Sequence, residues 1–266
     1  SSLIFFILIA SVLVVAFVTT LLFLYSRQEK MIFLGEKLDK NHVFNFPGEY
    51  EERFYHIEDG IDLHGLLFRV KEPKGIVFYF HGHMGSISSW GQWASIFQDH
   101  GWDVFMWDYR GYGKSSGAIT AEYSLHDDAK FLYERICHEY RDKRCIFYGR
   151  SLGTGIASQL ALENIPEKLI LSTPYYNFED VVSHQHPLLP VSMLLKYKFR
   201  NDLHLKKVEC PVFLFHGTED DFVPYESSVK LKKIGKNIDL TTITGASHSD
   251  FASFPEFKSK MKDLLE

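Results

Sequence analysis

One short segment in the middle of the chain constrains the fold and the chemistry more than any other. The apolar run Ile146–Tyr148 leads into a G-x-S-x-G motif centred on Ser151, and a helix-like segment follows it. Strand, tight turn and helix form the setting in which this motif lifts a serine Oγ above the edge of a sheet. A side chain at Gly149 or Gly153 would collide with neighbouring backbone in such a turn. The segment therefore predicts Ser151 as a nucleophile held in a turn formed by Gly149 and Gly153.

A serine nucleophile needs a base, and the base needs an acid that orients it. Two later apolar runs, Pro211–Phe215 and Leu240–Ile243, are each followed by a loop with suitable side chains. The second loop contains His248, which we expect to take the proton from Ser151 Oγ. The first loop contains three acids, any of which can serve on these grounds: Glu219, Asp220 and Asp221.

Acyl transfer also needs N–H donors aimed at the oxygen on which negative charge develops. We expect one donor to be the backbone N–H of Leu152, directly after the nucleophile. A glycine-bounded loop, His81-Gly82-His83-Met84-Gly85, follows the apolar run Ile76–Phe80. We assign the second donor to the backbone N–H of His83, whose side chain either lines the pocket or faces solvent.

Short apolar runs alternate with amphipathic helical patterns over most of the chain. Before them, Asp59-Gly60 separates Glu52–Glu58 from Leu63–Arg69 and predicts an antiparallel hairpin. This alternation predicts an α/β fold in which a mostly parallel sheet carries helices on both faces and the hairpin lies at one edge. The apolar runs are Ile76–Phe80, Trp102–Trp107, Cys145–Tyr148, Leu169–Leu171, Val212–Phe215 and Leu240–Ile243, and the helical patterns are at 121–139, 151–163, 225–234 and 254–265.

Together these motifs resemble those of the α/β-hydrolase superfamily, from about Tyr55 to the C-terminus. The segment Asp108-Tyr109-Arg110-Gly111-Tyr112-Gly113-Lys114-Ser115 looks like the turn after the family's fourth strand. The resemblance implies an α/β-hydrolase fold with a Ser-His-Asp triad, and it favours Asp220 because this residue occupies the family's acid position. Such a triad supplies nucleophile, base and electrostatic stabilisation, so we expect no cofactor and no metal.

The N-terminal segment differs from the rest of the chain. Its apolar run Leu3–Tyr25 is long enough to cross a hydrocarbon core of about 30 Å as a helix. The run exceeds the roughly 7–15 apolar residues of a signal peptide, and no basic segment precedes it, which favours an anchor over a cleaved signal. We predict a single-pass transmembrane helix at 1–26, a connector at 27–50 and the hydrolase domain at 51–266. Four basic residues closely follow the helix, so the positive-inside rule predicts a cytoplasmic domain: Arg27, Lys30, Lys37 and Lys40.

A segment at 174–206 lies between two predicted strands and is too long for a simple loop. It is either a helical insertion packed at the sheet edge or a cap over an acyl pocket, and we favour the cap because apolar pockets bind acyl chains. An apolar N-terminal helix combined with this insertion resembles a narrower branch of membrane-anchored, bud-emergence-type hydrolases, with relatives that act as protein palmitoyl thioesterases. Those relatives often carry Asn where this chain has His83, and a backbone donor would survive that change.

Composition excludes several other functions. The net charge is −5 and no basic stripe is present, so nucleic acid is not expected as a partner. The three cysteines Cys137, Cys145 and Cys210 have neither metal-binding spacing nor the pattern of a disulfide framework. The sequence leaves the oligomeric state open.

Our leading hypothesis is hydrolysis of an ester or thioester on an acyl-bearing substrate, a lipid or a lipidated protein, through an acyl-enzyme. A peptidase or amidase on the same scaffold is an alternative. A non-catalytic interaction protein that kept the fold is a third, and the complete triad argues against it.

Overall fold

Ten strands occur in the part of the chain that the computed structural model describes, residues 2–58, 60–141 and 143–266. The short strands β1 (Leu34–Gly35) and β5 (Met84–Gly85) pair in parallel with each other. The other eight form the central sheet: β2 (Glu49–Glu58), β3 (Ile61–Arg69), β4 (Gly75–Phe80), β6 (Asp103–Trp107), β7 (Arg144–Arg150), β8 (Lys168–Ser172), β9 (Val212–Gly217) and β10 (Ile238–Ile243).

The central sheet has the strand order β10-β9-β8-β7-β4-β6-β3-β2. Every neighbouring pair from β10 to β6 is parallel, whereas β3 pairs antiparallel with both β6 and β2. The prediction of a mostly parallel sheet with an antiparallel hairpin at its edge is therefore confirmed. Of the predicted hairpin turn, Asp59 lies outside the described residues, and Gly60 has a φ of +75° that suits glycine.

Helices cover the sheet on both sides. The α-helices are α1 (Ser2–Ile32), α2 (Ile87–Trp90), α3 (Ser95–Gln98), α4 (Glu122–Cys137), α5 (Leu152–Glu163), α6 (Phe178–Gln185), α7 (Val191–Leu194), α8 (Asn201–His204), α9 (Glu226–Lys232) and α10 (Pro255–Leu265). Short 3₁₀ turns occur at Gly91–Ala94, His138–Tyr140 and Phe251–Ser253. The four predicted helical patterns correspond to α4, α5, α9 and α10.

Two separate hydrophobic cores explain why the parallel strands read as unbroken apolar runs. In β4, Phe78 packs into one core and Val77 into the other, because successive side chains point to opposite faces. Ile156 of α5 covers the first core and Phe257 of α10 covers the second. A strand buried on both faces has no position for a polar side chain, so its sequence does not alternate.

The N-terminal helix is longer than the predicted span. It continues past residue 26 to Ile32, through residues that are mostly good helix formers despite their charge. The most apolar 18-residue window of α1 has a mean hydropathy of 2.9, and it is not buried against the rest of the protein. By length and composition α1 is able to cross a membrane.

The predicted connector at 27–50 differs from a free linker. Its first part continues α1, and Leu34 and Gly35 then form β1 beside the loop that contains His83. The N–H of Leu34 donates to the carbonyl oxygen of His83 at 2.9 Å. This pairing could not be predicted from the sequence, because a two-residue strand has no periodic pattern.

Candidate active site

Ser151 occupies a strained turn between β7 and α5. Its φ of +51° and ψ of −116° lie in a region that non-glycine residues rarely adopt. The turn is held by the N–H of Ser151, which donates to Ser172 O at 3.0 Å, and by Thr154 Oγ1, which donates to Ser151 O at 2.7 Å. The local structure therefore keeps a strained backbone at the residue that projects from the carboxyl edge of the central sheet.

The two glycines of the motif are required by close backbone contacts. A Cβ at Gly153 would collide with the carbonyl oxygen of Phe80 at the end of β4. A Cβ at Gly149 would lie 2.8 Å from the carbonyl oxygen of Gly153. Helix α5 can approach β4 this closely only because Gly153 has no side chain, and β7 can approach the start of α5 only because Gly149 has none.

The structure brings the three predicted catalytic side chains together. His248 Nε2 lies 3.1 Å from Ser151 Oγ, and His248 Nδ1 lies 2.8 Å from Oδ2 of Asp220. Asp220 follows β9 and His248 follows β10, so all three side chains reach the same edge of the sheet. Of the alternative acids, Glu219 and Asp221 are both exposed, whereas Asp220 is buried.

Asp220 has further partners that favour its ionised form. Burial alone would raise the pKa of Asp220, but hydrogen bonds from His216 and His248 hold that pKa well below its usual value. Its other oxygen accepts from the backbone N–H groups of Phe222 and Val223, at 3.0 and 2.8 Å. Asp220 is thus a fixed anion directed at the imidazole of His248.

The two residues predicted as oxyanion donors, Leu152 and His83, line the same cavity as Ser151. Leu152 is the first residue of α5, where helix N–H groups have no partner within the helix and the helix dipole favours negative charge. The Gly82–His83 peptide is oriented by His81, whose Nδ1 lies 2.8 Å from the carbonyl oxygen of Gly82. Tyr112 adds a hydrogen bond from its hydroxyl to the carbonyl oxygen of His83 at 2.6 Å.

The side chain of His83 forms part of a cavity wall. Its ring stacks on Phe222 with centroids 5.3 Å apart, and Phe222 also contacts the ring of His248 at 5.0 Å. Burial, together with the electrostatic effect of nearby His248, lowers the pKa of His83 to about 4. His83 is therefore a neutral, pocket-lining imidazole at physiological pH, which answers the question that the sequence left open.

An apolar cavity of about 360 Å³ extends from Ser151. The insertion at 174–206 is helical, as predicted, and its α6 and α7 form much of the wall. The lining side chains near Ser151 are His83, Leu152, Tyr175, Phe222 and Val223; those from the insertion include Phe178, Val181, Val182, Leu189, Val191, Leu194 and Leu195; and those from the N-terminal part are Leu24, Gln28, Met31, Ile32 and Leu34.

Residues 71–206 match the sequence model of a family described as serine aminopeptidase, S33, which is about half of the chain. The chain belongs to this α/β-hydrolase family. The match ends before Asp220 and His248, so it covers the nucleophile and the insertion but neither of the other two side chains. The predictions of the superfamily and of the fold are confirmed.

Curated relatives of this α/β-hydrolase are named as lipases. Lysophosphatidylserine lipase ABHD12 of Danio rerio is 30% identical, over 71% of this chain and 58% of that protein. The Xenopus tropicalis protein of the same name is 29% identical, over 71% of this chain and 57% of that protein. The chain thus spans about half the length of these lipases. An uncharacterized protein of Mycobacterium tuberculosis is 26% identical, over 86% of this chain and 83% of its own.

Solved structures of esterases and lipases share the fold. An esterase of Pyrococcus furiosus superposes with a TM-score of 0.70 at 20% identity, over 88% of this chain and 97% of the esterase. A monoglyceride lipase of Saccharomyces cerevisiae superposes with a TM-score of 0.64 at 17% identity, over 85% and 98% of the two chains. The prediction that the chain is related to ester hydrolases is confirmed by the named relatives, and these structures support the fold.

Several residues of this α/β-hydrolase site were not identified from the sequence. His216, near the end of β9, lies 4 residues before Asp220 and contacts its carboxylate, and Phe222 packs between the rings of His83 and His248. The guanidinium of Arg150 lies among the rings of Trp90, Trp93 and Phe251, with 4.5 Å to the Trp93 centroid. For His216, its place at the end of the strand before the acidic loop was a usable signal, whereas the aromatic contacts depend on tertiary packing.

Proposed function

We propose that this protein is a membrane-anchored serine hydrolase that cleaves the ester bond of lipids with a single acyl chain, through an acyl-enzyme on Ser151. The observation that carries the proposal is the continuous arrangement of Asp220, His248 and Ser151 at the mouth of an apolar cavity. A hydrogen-bonded serine, base and acid is the arrangement used for nucleophilic acyl transfer on many folds.

In the proposed reaction, His248 Nε2 takes the proton of Ser151 Oγ as that oxygen attacks the ester carbonyl carbon. The carbonyl oxygen then becomes an oxyanion, which the N–H groups of Leu152 and His83 stabilise. The C–O bond to the alcohol breaks, and His248 returns its proton to the leaving alcohol oxygen. Water, deprotonated by His248, attacks the acyl carbon of the acyl-enzyme. The bond from that carbon to Ser151 Oγ then breaks as His248 returns the proton to Oγ, which releases the fatty acid and regenerates Ser151.

Asp220 has an electrostatic role in this scheme. It keeps the Nδ1–H of His248 directed toward itself, so that Nε2 faces Ser151, and it stabilises the imidazolium that forms. The lowered pKa of Asp220 keeps it anionic throughout. His83, neutral because of burial, contributes its backbone N–H and an apolar ring face rather than a second positive charge.

The substrate class follows from the cavity and from the relatives together. At about 360 Å³ the cavity lies at the lower end of the roughly 300–1,000 Å³ common for small-molecule sites, and its wall is mostly aliphatic and aromatic. Such a space suits one acyl chain better than two. The relatives carry names of enzymes that act on single-chain lipids, lysophosphatidylserine lipase and monoglyceride lipase.

The proposal places α1 across the membrane as a single pass and the hydrolase domain on the cytoplasmic side. Support comes from the exposed apolar window of α1 and from Arg27 and Lys30, the basic residues of α1 that follow its apolar run Leu3–Tyr25. An enzyme tethered this way meets membrane-borne acyl esters at high effective concentration.

The test uses the full chain reconstituted in liposomes. Four substrates separate the reaction classes: a lysophosphatidylserine, a monoacylglycerol, a palmitoyl thioester and an aminoacyl anilide. We expect turnover of the two single-chain esters, and Ser151→Ala should reduce it by roughly 10⁶-fold. Ser249→Ala, at an exposed serine beside His248, is the matched control and should keep the parent rate.

Preferred cleavage of the thioester would instead support the palmitoyl-thioesterase reading, and preferred cleavage of the anilide would support a peptidase. Turnover of none of the four, or turnover that survives Ser151→Ala, would overturn the proposed hydrolase function.

A further inference from the structure

The C-terminal end of α1 forms one wall of the cavity that reaches Ser151. Four side chains from the last three turns of α1 line this cavity, and they face residues of α6 and α7 across it. The α1 residues are Leu24, Gln28, Met31 and Ile32. A role as an anchor does not require these α1 side chains to line the same cavity as the catalytic serine.

The side chain of Gln28 fixes α1 against the insertion. Its Nε2 donates to the carbonyl oxygen of Leu194 at 2.6 Å, and its Oε1 accepts from the N–H of Lys196 at 2.9 Å. Gln28 is 8% exposed, so both hydrogen bonds form away from most of the solvent. A buried amide with both of its groups bonded to backbone sets the rotation of the helix as well as its position.

The next residue, Glu29, makes a second contact between α1 and the insertion. Glu29 accepts from Lys196 Nζ at 3.1 Å and from the hydroxyl of Tyr197 at 3.0 Å. One turn further along, the ring of Phe33 packs edge-on against Tyr197, with centroids 4.9 Å apart. The end of α1 and the segment after α7 therefore form one docked unit.

The cavity begins where the apolar span ends. Leu24 lines the cavity, and it lies next to Tyr25, the last residue of the apolar run. On the insertion, Leu188 and Met193 are 95% and 83% exposed, and each adjoins a residue that lines the cavity, Leu189 or Leu194. With α1 across a bilayer, these exposed apolar side chains and the α1 wall lie at the level of the membrane surface.

We propose that the cavity receives the acyl chain of a bilayer lipid directly, between α1 and the insertion, and that α1 sets the chain length accepted. This inference rests on the proposed function, since it describes how the substrate of that site enters. Leu24 lies on the α1 wall at the membrane end, so a larger side chain there should obstruct the far end of an acyl chain. An ester too short to reach that end should be unaffected.

The test compares Leu24→Trp with Leu22→Trp in the full chain, reconstituted in liposomes. Leu22 is on the same helix, 64% exposed and away from the cavity, so it controls for a bulky aromatic at this depth. We expect Leu24→Trp to lower kcat/KM for a C18 lysophospholipid at least 10-fold, while a C4 ester is hydrolysed within twofold of the parent. Leu22→Trp should match the parent on both substrates.

An unchanged chain-length profile in Leu24→Trp, or an equal change in Leu22→Trp, would overturn this inference without affecting the proposed function. A readout independent of catalysis is binding of a fluorescent C16 fatty acid to the Ser151→Ala protein, which Leu24→Trp should weaken at least 10-fold relative to Leu22→Trp. Equal binding by the two variants would also contradict an acyl site with α1 as one wall. If the parent protein hydrolysed no ester, that result would count against the proposed function instead.

Discussion

Nε2 of His216 lies 3.1 Å from Oδ2 of Asp220, the same carboxylate oxygen that contacts His248. The Nε2 atom of His216 also lies 3.0 Å from the carbonyl oxygen of Val223, while its Nδ1 lies 2.7 Å from the hydroxyl of Ser228. Two acceptors at Nε2 require a proton on that nitrogen, so His216 donates from Nε2 to Asp220. His216 is therefore a hydrogen-bond donor that fixes the position of Asp220.

The first prediction concerns this positioning role. His216→Leu should lower kcat by about 10- to 100-fold, since a hydrogen bond to a charged group contributes about 1.5–3 kcal/mol. KM should change little, because His216 is buried and does not line the cavity. His216→Gln retains an N–H donor and should recover much of the rate in steady-state assays. Equal loss in both variants would indicate a packing role instead.

The second prediction distinguishes the neighbouring acids. Asp220→Asn should lose roughly 10⁴-fold in kcat, because an amide no longer holds His248 in the required tautomer. Asp221→Asn should remain within about twofold of the parent, because Asp221 is exposed. The measurement is ester turnover by both purified variants, and the opposite ranking would move the acid by one residue.

The third prediction uses the lowered pKa of His83. The folded-state pKa is about 4, below the roughly 6.5 expected for an unfolded histidine. Between these values the unfolded chain binds a proton that the folded protein does not, so the free energy of unfolding should fall as pH drops from about 6.5 to 4. Replacing His83 by Asn should make this dependence shallower, by an amount on the order of 1–3 kcal/mol across the window.

Urea unfolding followed by tryptophan fluorescence at several pH values provides the measurement for His83. Burial, with nearby His126, likewise lowers the pKa of His204 to about 4, so some pH dependence should remain in His83→Asn. An unchanged slope in that variant would mean that His83 is protonated in the folded protein.

The fourth prediction concerns the turn before α5. Gly153→Ala should destabilise the protein severely, because the new Cβ would meet the carbonyl oxygen of Phe80, which belongs to a central strand and cannot move away. We expect low folded yield, measured by near-ultraviolet circular dichroism, and loss of activity. Folded, active Gly153→Ala protein would show that the close contact between β4 and α5 is not required.

Much of the fold was predictable because it depends on local patterns. Parallel strands buried on both faces appear as apolar runs, and each of the six predicted runs after the hairpin corresponds to a strand of the central sheet. The motif around Ser151 specifies strand, turn and helix within a few residues. The loops that contain Asp220 and His248 could be predicted because each follows a parallel strand. The carboxyl ends of parallel strands lie at one edge of the sheet.

The wall formed by α1 was not predictable from such patterns. Gln28 and Leu194 are 166 residues apart in the sequence, and nothing in the helix periodicity marks Gln28 as buried. The charges at Arg27 and Lys30 suggested that the helix ended there, whereas intrinsic helix propensity continued it to Ile32. Contacts between segments that are far apart in the sequence cannot be predicted from local composition.

The most direct test of the central claim is to locate the covalent intermediate. The full-length protein would be treated briefly with an alkyl fluorophosphonate and mapped by peptide mass spectrometry. We predict one adduct, on the peptide that contains Ser151, absent in Ser151→Ala, unchanged in Ser249→Ala and formed far more slowly in Asp220→Asn. An adduct on a different residue, or labelling of Ser151→Ala at the parent rate, would contradict the account.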